Sequence, residues 1–211
     1  MKAPVLILVR HGETEGESSI RYHGRTDVVL SALGREQMRA AKAAIVARHG
    51  GLEFTRVFAS PLSRASEGAL LIAGAAAPLV TLEEFVEVDF GMFEGLTADE
   101  IRDRYPAEFA RWNADRLAPA YTYPGGESRA AFAERVERGV DRMLAMWNPG
   151  AGETEERVLL VAHRGVIRTI VRRLVGAQPA VELGSIHIVE FDSSWRTRAL
   201  DLTDHLNPSE P

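Results

Sequence analysis

The chain of 211 residues contains no cysteine. That excludes disulfide scaffolds, thiolate zinc sites, iron–sulfur clusters and a cysteine nucleophile. Lysine is almost absent: of 25 basic residues, Lys2 and Lys42 are lysines and the remaining 23 are arginines. No run approaches the roughly 18 apolar residues that span a membrane. The start, Met1 to Arg10, has too short an apolar stretch for a signal peptide and no small-residue cleavage site, so a cytoplasmic protein without membrane partners is expected. Net charge is −5 and the basic residues form no tail or stripe, which speaks against nucleic acid. The six histidines are dispersed, with no HExxH or other ligand spacing, so neither a metal site nor a cofactor is expected.

What is present is an ordinary globular balance, 45% apolar and 26% charged, in a length that suits one domain with a small appended cap. Val5–Val9, Arg56–Ala59, Leu79–Leu82 and Val158–Ala162 are short apolar runs that read as buried strands. Ser31 is placed to cap a helix whose apolar face is Leu33, Met38, Ala41 and Ile45, stopping at His49-Gly50-Gly51. Ser60-Pro61 reads as N-cap and first residue of a helix through Ala73. Phe132, Val136, Val140, Leu144 and Trp147 make the stripe of a helix from about Ser128 to Asn148-Pro149-Gly150, and another helix covers Val166–Val175. Ile186–Phe191 and Thr197–Leu202 suggest an antiparallel pair. Strands alternating with helices predict a three-layer α/β/α sandwich with a mainly parallel sheet over residues 1–206, with a tail from Asn207. Between Asp89 and Ser128 the pattern weakens to two short helix-like stretches, Thr97–Tyr105 and Pro106–Leu117. This segment, about 89–128, is the candidate helical cap.

Ligands of open parallel sheets bind at the carboxyl ends of the strands. His11, in Arg10-His11-Gly12-Glu13-Thr14, and His163, in His163-Arg164-Gly165, both follow predicted strands directly. A glycine one or two residues beyond each lets backbone approach a ligand closely. Arg64 lies in the helix after the second strand. Glu87 belongs to an acidic run with Glu83, Glu84 and Asp89, whose plain alternative is a solvated carboxylate. These groups suit phosphoryl transfer. A neutral ring nitrogen attacks phosphorus, guanidinium groups neutralise the equatorial oxygens in place of a metal, and a carboxyl group supplies the leaving oxygen's proton.

The RHG sequence at Arg10-His11-Gly12 resembles the signature of the histidine phosphatase superfamily, which includes the cofactor-dependent phosphoglycerate mutases. His23–Asp27, Leu30–Gly34, Ser60–Ala65, Glu87–Gly95, Pro124–Ser128 and His163–Arg168 resemble family segments in family order. The resemblance implies that His11 is the nucleophile, that Arg10, Arg64 and His163 bind the phosphoryl group, and that Glu87 is proton donor and then base. Arg21, His23, Gly24 and Arg164 are further candidates for substrate contact. Three positions depart from the family pattern: Glu17 where Asn is frequent, Gly68 where Thr is frequent, and Arg164 where Gly is frequent. Gly68 is expected to loosen its helix slightly.

The expected activity is hydrolysis of a small phosphorylated metabolite through a phosphohistidine. The alternatives are a phosphoglycerate mutase, an α-ribazole phosphatase, suggested by the Tyr22–Asp27 segment, and a non-catalytic binding module. Only 76 positions separate Glu87 from His163, where the classical mutases carry a longer insertion with an adjacent arginine pair. Here Arg102, Arg104, Arg111 and Arg116 are not adjacent, which favours hydrolysis. A homodimer is carried as an option.

Overall fold

The computed structural model describes residues 3–16, 20–51, 53–149 and 156–206. The apolar runs form strands β1 (Val5–Arg10), β2 (Arg56–Ala59), β3 (Leu79–Thr81) and β4 (Arg157–Ala162), followed late in the chain by β5 (Ile186–Asp192) and β6 (Ser194–Leu202). The helices are α1 (Ala32–His49), α2 (Ser63–Ala73), α3 (Ala98–Arg104), α4 (Pro106–Asp115), α5 (Arg129–Trp147) and α6 (Arg164–Val175). One sheet has the order β3-β2-β4-β1-β5-β6. Its first four strands are parallel, and β5 and β6 extend it antiparallel.

Alternation along the strands divides the core. Val5, Ile7 and Val9 of β1 pack with Met38, Ala41 and Ile45 of α1 and with Ala65, Ala69 and Ile72 of α2. Leu6 and Leu8 pack with Val136, Val140 and Met143 of α5 and with Val166, Ile167 and Ile170 of α6. Both faces of the sheet are covered, which is why the central strands read as continuous apolar runs. The result is the expected mainly parallel α/β/α sandwich, and no helix among the described residues is long and apolar enough to cross a membrane.

Several local expectations need correction. Ser60-Pro61 does not open α2. That helix begins at Ser63 after Leu62, which supplies no side-chain cap. Asp27, distant in sequence, takes the capping role through Ser63 N–H at 2.8 Å and Ser63 O–H at 2.6 Å. Helix α6 begins at Arg164, directly after His163, two residues before the expected start. Leu33 is half exposed rather than part of the α1 core face. A Cβ on Gly68 would meet Met38 Sδ at 3.0 Å and Val161 Cγ1 at 3.4 Å, so its small size seats α2 on α1 and β4. Ser31, Ser128 and Asn148 cap their helices as expected. Glu17, Gly150 and the tail from Asn207 lie outside the described residues.

The segment 89–128 contains α3, started by a Thr97/Glu100 capping box, and α4, opened by Pro106. Its aromatic side chains pack edge to face. Phe90 meets Tyr123 at 5.0 Å between ring centroids, and Tyr22 meets Phe90 at 5.2 Å and Trp112 at 5.8 Å. Trp112, Tyr121 and Tyr123 are buried, so these rings serve packing.

Candidate active site

Register brings the two strand-end histidines together. Arg10 of β1 pairs with Ala162 of β4, so the next residues, His11 and His163, emerge side by side from neighbouring parallel strands. Their ring centroids are 5.1 Å apart in an edge-to-face arrangement. Ser60, the first residue after β2, completes a row at the same sheet edge, with its N–H on Val161 O at 3.1 Å.

His11 Nδ1 lies 2.7 Å from Gly12 O. A carbonyl only accepts, so Nδ1 carries the hydrogen and the neutral ring keeps its lone pair on Nε2. Burial, then the charges of Arg64 and Arg10, hold the His11 pKa well below the ordinary histidine value. The arginines disfavour the protonated ring, but desolvation is the larger cause. His163 is lowered likewise by burial, Arg64, His11 and Arg10, and its Nε2 sits 2.8 Å from Ser60 Oγ.

Arg64 is fully buried in the first turn of α2. Its Nη1 donates to Thr26 O at 2.8 Å and its Nη2 donates to His23 O at 3.0 Å and Gly24 O at 2.7 Å. Arg10 Nη1 donates to Val181 O at 3.0 Å. Burial and the nearby Arg164 lower the Arg10 pKa to about 10, which leaves the guanidinium charged at neutral pH. Buried nitrogens without a hydrogen-bond partner among the described residues include Arg10 Nε, Arg64 Nε, His163 Nδ1 and His23 Nδ1. Such orphans are rare inside proteins, and their grouping around His11 offers hydrogen-bond donors to an anion.

Glu87 is buried, 7% exposed, so the solvated-carboxylate alternative for it is set aside. Its Oε1 accepts Val88 N–H at 3.0 Å and its Oε2 accepts Gly165 N–H at 3.0 Å. The glycines after the histidines also permit close approaches within the protein. A Cβ on Gly165 would fall 2.5 Å from Glu87 Oε1, and one on Gly12 would fall 2.4 Å from Gly34 O.

A cavity of about 690 Å³ is lined by Arg10, His11, Arg21, His23, Glu87 and Arg164, with Ile20, Tyr22, Leu33, Phe90, Leu183 and Leu206 among its other walls. His163 and Arg64 are more deeply buried and do not line it. Arg21 is spoken for by Glu100 at 2.6 Å and Gly95 O at 3.0 Å. Gly24 is the exception among the substrate candidates. Its N–H is held by Glu94 at 3.1 Å and its carbonyl by Arg64, so it clips the loop rather than facing the cavity. Arg164 Nε donates to Ala180 O at 3.1 Å. Among the described residues, no three His, Asp or Glu side chains converge to hold a metal ion.

Sequence reasoning missed four supports. Ser60 orients His163, Asp27 caps α2 beneath Arg64, and Glu94 gathers the N–H groups of Gly24, Arg25 and Thr26. Arg135 grips Val86 O at 2.8 Å, Glu84 O at 3.0 Å and Glu127 at 2.7 Å, fixing the segment that carries Glu87. Asp27 and Glu94 lie inside the family-like segments His23–Asp27 and Glu87–Gly95, but nothing local marks their partners; Arg135 carries no signal at all.

The model of the histidine phosphatase superfamily (branch 1) matches residues 6–200. The chain belongs to this superfamily. A bifunctional protein of Mycobacterium tuberculosis is 37% identical over 210 residues, 95% of this chain; the chain spans about half, 54%, of that relative's length. Phosphoserine phosphatase 1 of Hydrogenobacter thermophilus is 31% identical over 81% of this chain and 76% of its own. The α-ribazole phosphatase of Shigella flexneri superposes with a TM-score of 0.79 at 26% identity, covering 94% of this chain and 96% of its own.

Proposed function

We propose that this protein is a metal-independent phosphomonoesterase that hydrolyses a small phosphorylated metabolite through a phosphohistidine on His11. The observation that carries the reading is the trio of unpartnered buried nitrogens, Arg10 Nε, Arg64 Nε and His163 Nδ1, around a histidine whose Nε2 lone pair is free. The phosphoryl oxygens accept from these groups, with the His163 Nδ1–H tautomer supported by Ser60 O–H donating to Nε2.

His11 Nε2 attacks phosphorus and the bond to the leaving oxygen breaks. Glu87, in its acid form, gives that oxygen its proton. The positive charge that develops on the ring is stabilised by Nδ1–H donating to Gly12 O. Water then attacks the phosphohistidine, Glu87 takes its proton, the N–P bond breaks, and neutral His11 and inorganic phosphate result.

Hydrolysis rather than mutase chemistry is supported by the cap. Arg102, Arg104, Arg111 and Arg116 are not among the described residues lining the cavity; Arg102 pairs with Asp99 and Arg116 lies over Trp112. One superfamily relative is named for phosphoserine and another for α-ribazole, so the substrate is left at the level of a small phosphomonoester.

The test is hydrolysis of p-nitrophenyl phosphate in the presence of EDTA. The wild type is expected to turn over, and His11→Ala to fall by about four or more orders of magnitude, the usual cost of removing a covalent nucleophile. Equal rates for the two proteins contradict the reading. Fast 3-phosphoglycerate isomerisation that depends on 2,3-bisphosphoglycerate would replace it with the mutase.

A further inference from the structure

Val181 is fully buried and has φ of 57°, a left-handed conformation that a β-branched residue strongly resists. Something must hold it there, and the hydrogen bonds show what does. Val181 N–H donates to Asp201 Oδ1 at 2.9 Å and Ala180 N–H donates to Oδ2 at 3.0 Å, so one carboxylate clamps two consecutive amides. Asp201 is aimed by an irregularity in the sheet. Register slips by one residue between Ile186↔Leu202 and Ile188↔Ala199, and Asp201 itself has φ of 53°. Its own N–H donates to His187 Nδ1 at 3.2 Å. His187 Nε2 lies 3.0 Å from Ser185 Oγ, which donates to Glu182 O at 2.7 Å.

The carbonyls of the clamped segment all accept from arginines, two of which, Arg10 and Arg164, line the cavity. Pro179 O accepts from Arg168 Nε at 2.9 Å, and Ala180 O accepts from Arg164 Nε and Arg168 Nη2, both at 3.1 Å. Val181 O accepts from Arg10 Nη1 at 3.0 Å. Amides held on one side and carbonyls presented on the other make the segment a bracket for guanidinium groups.

We infer that Asp201 is a positioning residue for Arg10, holding Val181 in its strained conformation so that the Val181 carbonyl fixes the guanidinium in the site. The inference rests on the reading of Arg10 as a phosphoryl ligand. Asp201 is on the last strand, 191 positions from Arg10, and touches no reacting atom. Without its carboxylate, Val181 relaxes toward negative φ, its carbonyl turns away, and Arg10 loses the anchor that aims its unpartnered Nε.

The test is a set of Asp201→Ala, Asp201→Asn and the double variant Asp201→Ala/Val181→Gly, compared with wild type for kcat and KM on p-nitrophenyl phosphate and for Ki of inorganic phosphate. Asp201→Ala should raise KM and Ki about tenfold, the value of one weakened charge-assisted hydrogen bond, with kcat changing less. Asp201→Asn, which keeps one acceptor, should fall between. Glycine accepts positive φ without strain, so Val181→Gly should recover most of the loss in the Asp201→Ala background. Wild-type KM and Ki in Asp201→Ala overturn the inference, as does a loss that Val181→Gly leaves unmoved. If Asp201→Ala does not fold, Asp201→Asn carries the same comparison. An inactive wild type overturns the parent reading alone; the inference is then decided by the Kd for inorganic phosphate of Asp201→Asn against wild type, raised if it holds and unchanged if it does not.

Discussion

A buried imidazole surrounded by guanidinium groups has two reasons to stay neutral, and at His11 and His163 desolvation outweighs the charges. His187, buried among the Asp201 and Ser185 contacts, is lowered by burial to about 4, with Asp201 opposing. The consequence for stability has a definite sign. In the unfolded chain these rings take up protons below about pH 6.5. In the folded protein they do so only at much lower pH, so between those limits the unfolded state binds more protons. Unfolding free energy therefore falls as pH drops below about 6.5, each histidine adding at most about 1.4 kcal/mol per pH unit to the slope. Urea unfolding at pH 7.0, 6.0 and 5.0 should show midpoints falling steadily, and less steeply in His187→Gln. A midpoint independent of pH over this range contradicts the burial of neutral histidines. The strand-end position made His11 and His163 legible from sequence. Burial was not, because it depends on what the rest of the chain lays over them.

Elements meet closely where the loop after β1 crosses the first turn of α1. A Cβ at Gly34 would stand 1.9 Å from Glu13 O, and one at Gly12 would stand 2.4 Å from Gly34 O, backbone against backbone. Gly34→Ala sets two effects against each other. Helix propensity favours alanine by about 1 kcal/mol, whereas forcing the crossing apart costs about 1–3 kcal/mol and shifts the loop carrying His11. The clash is with backbone, which yields least, so a net loss near 2 kcal/mol and reduced turnover are expected. Denaturant unfolding checks the first and p-nitrophenyl phosphate hydrolysis the second; an unaltered or more stable Gly34→Ala protein contradicts the tight crossing. Helices and strands themselves were readable because their signals are local: the Ser31 and Ser128 caps, the apolar periods, the glycine stops. The start of α2 was misread because its capping group, Asp27, lies 36 positions away in sequence. Arg135, Glu94 and Asp201 escaped for the same reason, since hydrogen bonds across tens or hundreds of residues leave no spacing to find.

At the scale of the molecule, the strand order places β4 between β1 and β2, so residues from three separate stretches of chain, His11, His163 and Ser60, line up at one edge of the sheet. Arg64 and Glu87 reach that edge from α2 and from the chain after β3, and Phe90, packed on Tyr22 and Tyr123, lines the cavity. The architecture explains how a protein with so few lysines and no cysteine concentrates charge on one neutral imidazole. The direct test of the account is rapid quenching after mixing the enzyme with a phosphorus-labelled monoester. A label bound to the protein, lost in acid, stable in alkali and absent from His11→Ala, is the predicted result. A wild-type enzyme that turns over substrate without ever carrying such a label would contradict it.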